Sequence, residues 1–270
     1  MKRLFLILAV TVSALPAIAQ DRAELHTLHC LNGCPTGASA TNDVIVREIY
    51  TLSSNDRRKF ADWVAYRITS DTVGTSGGRR WQADPWLSEA ETLEPNDYDD
   101  APGTLQIDRG HQAPLAAFSG TPFAEDTNIL SNITPQRSAL NQASWQYLEA
   151  QERRFVARPS PDDPVRTLYV LTGPLYERMM PSMPMPNGYE RHRLPSAYWK
   201  VLATSDGRVA AFIFDQDTPR SASYCTMRTT LEEVEIRADL ELFPRLQARA
   251  FSDLSPDLGC VSAPVTPLPE

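Results

Sequence analysis

Apolar residues recur along the chain in short stretches, and their spacing predicts several strands. Val44–Tyr50 alternates between apolar and polar positions, as a half-buried strand does. Phe60–Ile68 is a second strand candidate or the end of a helix. Three more strand-like stretches follow in the second half of the chain: Thr167–Thr172, Ala197–Ala203 and Val209–Phe214. The Asp206-Gly207 pair between the last two predicts a hairpin, and hairpins pair their strands antiparallel.

Two longer stretches have the spacing of amphipathic helices. Ser138–Phe155 is the clearest, with Thr134 as a candidate N-cap and Pro135 as a first-turn proline. Thr229–Leu240 is the second. Loops are predicted where Gly, Pro and charged residues concentrate, at Thr72–Trp86 and Glu91–Gly103. Because strands and helices do not alternate regularly, the pattern favours an α+β fold over a parallel α/β fold.

The N-terminus has the three parts of a secretory signal peptide. Lys2 and Arg3 supply positive charge, Leu4–Ala14 is an apolar run, and Ala17-Ile18-Ala19 ends in small residues. The apolar run is too short to span a bilayer comfortably. We therefore predict cleavage after Ala19 and a secreted protein, located in the periplasm or the medium. Residues 20–260 are expected to form one domain, followed by a Pro-rich tail at 261–270.

The cysteines of an exported chain are expected to form disulfides. The sequence has four of them, Cys30, Cys34, Cys225 and Cys260. An even number in an oxidising compartment indicates two disulfides, and four cysteines allow three pairings. Pairing of near neighbours is the simplest hypothesis. The alternative is a zinc site, because His26 and His29 lie beside Cys30, although no second Cys/His cluster has the right spacing.

The formal net charge is −8, and removal of Lys2 and Arg3 with the leader makes it more negative. A protein that holds nucleic acid by long-range attraction would be basic. If the substrate is nucleic acid, a divalent cation and a local group of arginines must therefore overcome an unfavourable overall field.

The middle of the chain carries the densest group of chemically active side chains. Leu105–Ile107 predicts a short strand that leads into Asp108-Arg109-Gly110-His111. On the predicted helix, Asn141, Trp145 and Glu149 are four residues apart and share one face. An asparagine oxygen suits Mg²⁺, which keeps several waters and takes phosphate oxygens as further ligands. A neutral histidine nearby is suited to deprotonate an attacking water.

Two functions from other classes remain open on these residues. Gly74-Thr75-Ser76-Gly77-Gly78 matches the nucleophile elbow of serine esterases, but the residues after it give no helix signal. The second alternative is a catalytically inactive protein that binds nucleic acid.

The segment around His111 resembles the DNA/RNA non-specific endonuclease family, and most closely its secreted, sugar-non-specific bacterial members. The resemblance extends from about Cys30 to Cys260. Besides the Asp-Arg-Gly-His motif, it rests on five stretches in the same order: Gly33–Gly37, Phe60–Tyr66, Leu130–Gln136, Gly173–Arg178 and Pro195–Lys200. It implies a ββα-metal core with a central antiparallel sheet flanked by helices.

The resemblance also implies an activity and its partners. Members of the family are Mg²⁺-dependent, with Mn²⁺ as a substitute, and cut DNA and RNA to leave 5′-phosphate ends. Some form homodimers, so a homodimer is an open alternative for this chain.

The family roles of the base and the metal site fall on four residues. His111 resembles the general base, and Asn141 the single protein ligand of Mg²⁺, which stabilises the leaving 3′ oxygen. Glu149 matches the acid that orders metal-bound water. Asn132 matches an asparagine that fixes the histidine or the substrate. Asp108 is expected either to support the fold or to orient a functional group.

The family roles of the arginines and cysteines follow in the same way. Arg79 resembles the arginine that stabilises the transition state, with the adjacent Arg80 as the alternative. Arg109 and Arg153 match residues that position phosphate. The family pairs its cysteines locally, which supports the disulfides Cys30–Cys34 and Cys225–Cys260.

Overall fold

The computed structural model describes residues 24–75, 77–158, 166–180, 182–184, 191–245 and 251–260. The predicted signal peptide at 1–19, the predicted tail at 261–270 and Ser76 of the candidate elbow lie outside the described residues.

The described residues contain strands, α-helices and shorter helical turns. The strands are β1 Asp43–Val46, β2 Tyr50–Asn55, β3 Phe60–Ile68, β4 Ile107–His111, β5 Ile133–Arg137, β6 Leu168–Leu175, β7 Ser182–Pro184, β8 Arg191–Arg193, β9 Ala197–Ala203, β10 Arg208–Asp215, β11 Arg228–Thr229 and β12 Ser252–Asp253. The α-helices are α1 Ala101–Leu105, α2 Leu115–Phe118, α3 Ser138–Leu140, α4 Gln146–Val156 and α5 Leu231–Ala238. Four 3-10 turns cover Pro95–Tyr98, Ala124–Asn128, Leu130–Asn132 and Tyr224–Met227, and Asn141–Trp145 is a π turn.

A large sheet forms the centre of the molecule, with strands in the order β1-β2-β3-β6-β9-β10-β11. All neighbours along this order are antiparallel, and β12 adds one parallel pairing to β10. One face packs against α4 through Leu148 and Phe155, and the other face packs against α5 through Val234. The expected α+β fold with a central antiparallel sheet flanked by helices is confirmed.

The predicted hairpin between β9 and β10 is confirmed. Gly207 has a φ of +89°, a conformation that a residue with a side chain rarely adopts. Its amide donates to Thr204 O, and the Thr204 amide donates to Arg208 O, which closes the turn. The local Asp-Gly signal was sufficient here because the turn needs only a positive φ and hydrogen bonds within five residues.

The two N-terminal strand candidates have different outcomes. Phe60–Ile68, for which both a strand and the end of a helix were open, is a strand throughout. Val44–Tyr50, however, is not one strand: β1 ends at Val46, and β2 begins at Tyr50 and pairs back onto β1. The turn is closed by a hydrogen bond from the Arg47 amide to Tyr50 O. Because apolar residues lie on both sides of this tight turn, the sequence pattern resembles the continuous alternation of a single strand.

The long helix predicted over Ser138–Phe155 is present, but its start was predicted incorrectly. Thr134 and Pro135 are not a cap and a first turn, because both lie in β5 and pair with β4. The helical run begins at Ser138, passes through the π turn and continues as α4. Proline fits a strand of this two-stranded sheet because an edge strand leaves one side of its ladder unpaired.

Helical structure also occurs where a loop was predicted. Glu91–Gly103 contains the 3-10 turn at Pro95–Tyr98 and the beginning of α1, with Pro102 in the first turn. Leu105 ends α1, and the strand expected at Leu105–Ile107 instead begins at Ile107 and runs through His111. The helix predicted at Thr229–Leu240 is the shorter α5. Thr230 caps α5 by accepting a hydrogen bond from the Glu233 amide.

Both local disulfides are present, Cys30–Cys34 and Cys225–Cys260. The disulfide removes both thiolates that a zinc site at Cys30 would need, so that alternative is wrong. His29 instead contacts the Thr51 hydroxyl through Nδ1 at 2.9 Å and Glu48 O through Nε2 at 3.1 Å. Within the described part of the chain, no helix has both the length and the apolar character needed to cross a membrane.

Candidate active site

The candidate site is built on the β4–β5 hairpin and the helical run that follows it. The two strands pair antiparallel over their full length, and the chain enters the helix directly after Arg137. Gly110 is required in this hairpin: a Cβ there would lie 2.7 Å from the Gln136 Cβ and 2.7 Å from its Oε1. The hairpin and the helix thus form a ββα unit with the Asp-Arg-Gly-His motif on its first strand.

A cleft of about 570 Å³ lies beside this unit. It brings together side chains from three separate parts of the chain: Arg79, Trp81, Asp108, Arg109, His111, Asn141, Glu149 and Arg153. All the site residues expected from the sequence therefore line one cavity, with the exception of Asn132, which is fully buried.

The His111 ring is held in one orientation at the wall of the cleft. Its Nε2 lies 3.1 Å from Asn128 Oδ1, which only accepts hydrogen bonds, so Nε2 carries the proton and Nδ1 is the free base. Burial lowers the pKa of His111 to about 4, the Asn128 hydrogen bond opposes that shift, and the positive charge of Arg79 adds to it. The imidazole is consequently neutral at neutral pH, as a general base must be.

The hydrogen bonds of the Asn132 side chain go to backbone atoms and not to the His111 ring. Its Oδ1 accepts from the Ala113 amide at 2.9 Å, and its Nδ2 donates to Ala113 O and Thr127 O, both at 2.9 Å. These bonds fix the backbone that follows His111 and the turn that carries Asn128. Asn132 is thus linked to His111 through the backbone, and Asn128 is the asparagine whose side chain contacts the ring.

Asp108 orients the amide of Asn141. Its Oδ2 accepts from Asn141 Nδ2 at 2.8 Å and from Gln142 Nε2 at 2.9 Å, and its Oδ1 accepts from the Ser138 hydroxyl at 2.7 Å. With its Nδ2 turned to this carboxylate, Asn141 has its Oδ1 available as an oxygen ligand in the cleft. A neutral oxygen in a cleft with one further carboxylate, Glu149, fits a hard cation such as Mg²⁺ that retains most of its water.

Glu149 lies on the same helical run and faces the cleft, with a side chain that is 12 % exposed. Burial raises its pKa to about 7, and the positive charge of Lys200 opposes the rise. Trp145, which lies between Asn141 and Glu149 in the four-residue spacing, packs in the core, as we expect of it rather than stacking on a base. The π turn between Asn141 and Trp145 changes the rotation of the helix at this point, which a regular four-residue spacing does not describe.

The arginines at the site differ in their contacts with the rest of the protein. Arg79 and Arg80 are both exposed, but only Arg79 lines the cleft. Arg109 donates to Pro95 O at 2.8 Å and lies 3.4 Å from Asp99, which ties it to the preceding turn. Among the described residues, no side-chain hydrogen bond or ion pair involves Arg79 or Arg153, so both guanidinium groups remain available for phosphate.

Three residues at the site, Asn128, Trp81 and Lys200, were not given a role from the sequence. Asn128 is one of many polar residues in a 3-10 turn. Trp81, whose ring centroid lies 5.3 Å from that of His111, sits in a segment with no periodicity. Lys200 had a usable signal, because it is a charged residue within an otherwise apolar strand.

Comparison with known proteins agrees with this geometry. A profile of the DNA/RNA non-specific endonuclease family matches residues 29–249. The chain is 45 % identical over 243 residues to a nuclease of Serratia marcescens, covering 88 % of this chain and 89 % of that protein. It is 31 % identical over 134 residues to human mitochondrial endonuclease G, covering 48 % of this chain and 42 % of that protein.

A solved structure, the EndoG/EndoGI complex, shares the fold. The match has a TM-score of 0.62 at 21 % identity and covers 78 % of this chain and 89 % of the matched one. The expected ββα-metal architecture is thereby confirmed. Since the family profile spans most of the chain, this protein belongs to the DNA/RNA non-specific endonuclease family and is an endonuclease that hydrolyses phosphodiester bonds.

Proposed function

We propose that this chain is a secreted, Mg²⁺-dependent endonuclease that cuts DNA and RNA without sequence specificity and leaves 5′-phosphate ends. The observation that carries the proposal is the pairing of a neutral His111 with an oriented Asn141 oxygen in one cleft. The Serratia marcescens relative, a nuclease, supports the activity.

In this mechanism, His111 Nδ1 accepts the proton of the water that attacks phosphorus. Arg79 and Arg153 contact the phosphate and offset the charge that builds on its oxygens. Asn141 Oδ1 and, through water, Glu149 would hold Mg²⁺, and Mn²⁺ would be accepted by the same oxygen donors. The bound ion supplies Lewis-acid stabilisation of the phosphate and of the leaving 3′ oxygen.

The absence of sequence specificity follows from the kind of contact that the cleft offers. Arginines and a metal ion recognise phosphate and carry no information about the base. Because phosphate is common to DNA and RNA, both are substrates of the same site. Export with cleavage after Ala19 remains part of the proposal, and association into a homodimer remains an open prediction.

The proposal predicts that purified protein degrades plasmid DNA and RNA with Mg²⁺ or Mn²⁺ and that EDTA abolishes both activities. Gel analysis of time courses measures this, and end-labelling identifies the terminal phosphate. Ser76→Ala is the matched control for the esterase alternative and is expected to cut at the wild-type rate. Cleavage that persists in EDTA, or that is lost in Ser76→Ala, would contradict the mechanism; binding without cleavage would indicate the inactive alternative.

A second prediction separates the two adjacent arginines. Arg79→Ala is expected to lower kcat/KM by about 10²–10³-fold, the cost of removing one group that stabilises transition-state charge. Arg80→Ala is the neighbouring control, with the same loss of charge, and is expected to stay within about threefold of wild type, since exposed charges act weakly at a distance. Steady-state cleavage of a short fluorescent duplex measures both, and equal losses would refute the assignment to Arg79.

A further inference from the structure

Lys200 occupies a position where the strand pattern calls for an apolar residue. All seven residues of β9 are buried, and Lys200 shares its face with Tyr198 and Leu202 of the core. Its side chain is 0 % exposed. A buried ammonium group is costly unless hydrogen bonds and opposite charges surround it, so its partners are informative.

Three groups in the core contact the ammonium group of Lys200. Nζ lies 3.0 Å from Glu152 Oε1 and 3.3 Å from the Tyr66 hydroxyl, and 4.2 Å from the centroid of the Trp145 ring. The Tyr66 hydroxyl donates to the other oxygen of Glu152 at 2.9 Å. Lys200 and Glu152 alone would therefore form a balanced buried pair.

A second carboxylate lies close to the same ammonium group. Glu149 Oε1 lies 3.8 Å from Lys200 Nζ on the side that faces the cleft. Glu149 and Glu152 are three residues apart in α4 and so lie on one side of the helix. One cation thus links a fully buried carboxylate to the carboxylate that lines the active-site cleft.

We infer that Lys200 is a positioning residue that holds the Glu149 carboxylate where it can order the water around the metal bound at Asn141. The inference rests on the proposed metal site. If Lys200 only neutralised Glu152, removal of the Glu152 charge alone would weaken metal binding as much as removal of both buried charges.

The test uses two variants that differ in one group. Glu152→Gln removes the buried negative charge and leaves Lys200 beside Glu149. Lys200→Met combined with Glu152→Gln removes both buried charges, so that no unpaired ion is left between the sheet and α4, and only Glu149 loses its partner. Tyr66 retains an acceptor in both variants, because a glutamine oxygen still accepts a hydrogen bond.

The main readout is Mn²⁺ binding, measured by electron paramagnetic resonance with a 5′-phosphorylated dinucleotide present and no cleavable substrate. The double variant is expected to bind Mn²⁺ about 10–100-fold more weakly, the usual cost of losing a partner that orients a ligand. Glu152→Gln is expected to stay within about threefold of wild type. In cleavage assays, the Mg²⁺ concentration for half-maximal rate should rise in parallel in the double variant, while KM for DNA stays unchanged.

Wild-type affinity in the double variant would overturn the inference and leave the metal site intact. An equal loss in Glu152→Gln would also overturn it, because it would assign the effect to the buried pair. No Mn²⁺ binding by the wild type would overturn the proposed metal site and the inference with it. Circular dichroism and the melting temperature check the fold. If methionine is not tolerated, Lys200→Gln in the Glu152→Gln background carries the same test, because the glutamine amide can donate to the Tyr66 hydroxyl in place of Lys200.

Discussion

Replacement of His111 by alanine is expected to lower kcat for DNA and RNA cleavage by about 10²–10⁴-fold, the range that a positioned general base contributes. The expected loss is large because His111 is the only imidazole among the residues that line the described cleft. KM for nucleic acid is expected to change little, since Arg79 and Arg153 remain to bind phosphate. Single-turnover cleavage of a short duplex measures the chemical step.

The fall of wild-type kcat/KM at low pH provides a second test of the role of His111. Burial lowers the pKa of His111 to about 4, below the 6.5 of an exposed histidine. The neutral base is therefore present above about pH 4, and at saturating Mg²⁺, whose charge favours the ionised form of Glu149, kcat/KM should fall with a midpoint near that value rather than near 6.5. Because burial raises the pKa of Glu149 to about 7, the same profile is measured in Glu149→Gln; a midpoint near 6.5 that persists in that variant would show that the His111 ring is solvated and would contradict the buried site.

The same shift makes a stability prediction of definite sign. Between pH 6.5 and about 4 the unfolded chain takes up a proton on His111 that the folded protein does not. His111 therefore destabilises the folded state progressively as the pH falls through that window, and has no such effect above it. In His111→Ala this contribution is absent, so urea unfolding of the variant should lose less stability between pH 7 and pH 4.5 than unfolding of the wild type. Equal losses would contradict a depressed pKa.

Local periodicity was enough to identify several strands of the central sheet and the long helix that carries Asn141 and Glu149. β6, β9 and β10, as well as the long helix, follow from spacings that only their own residues determine. The prediction failed where the same residues suit two local structures. Thr134 and Pro135 are a good helix start in isolation, but their pairing with β4, about 25 residues earlier in the chain, takes them into a strand.

The site residues also fall into two groups: those that the sequence identified, and those that only the folded structure brings to the site. The resemblance of the motif identified His111, Asn141 and Glu149, and the structure brings these side chains to one cleft. The contacts that orient them join segments far apart in sequence: Asn128 to His111, and Lys200 to Glu149. No spacing rule covers such pairs, because they depend on how the sheet and the helix pack.

Replacement of Asn141 by alanine is expected to lower cleavage at least about 100-fold, beyond what loss of an outer partner of a metal ligand costs. The reason is that Asn141 would be the single protein ligand of the metal, with its oxygen oriented by the hydrogen bond from Nδ2 to Asp108 at 2.8 Å. Rates at saturating DNA over a range of Mg²⁺ and Mn²⁺ concentrations measure the effect. Unlike in His111→Ala, the loss should be relieved in part by high metal concentration.

Two further variants separate metal binding by Asn141 from mere support of Asp108. Gln142→Ala removes a hydrogen bond of 2.9 Å to the same Asp108 oxygen and is expected to stay within about tenfold of wild type, the lower end of the cost of such a partner. Asn141→Asp keeps an oxygen ligand but sets a second carboxylate against Asp108, and like charges at this distance cannot both ionise freely. Its activity should therefore lie below wild type, although aspartate is the stronger ligand. If Asn141 served only to support Asp108, Gln142→Ala would be as damaging as Asn141→Ala, and metal concentration would rescue neither.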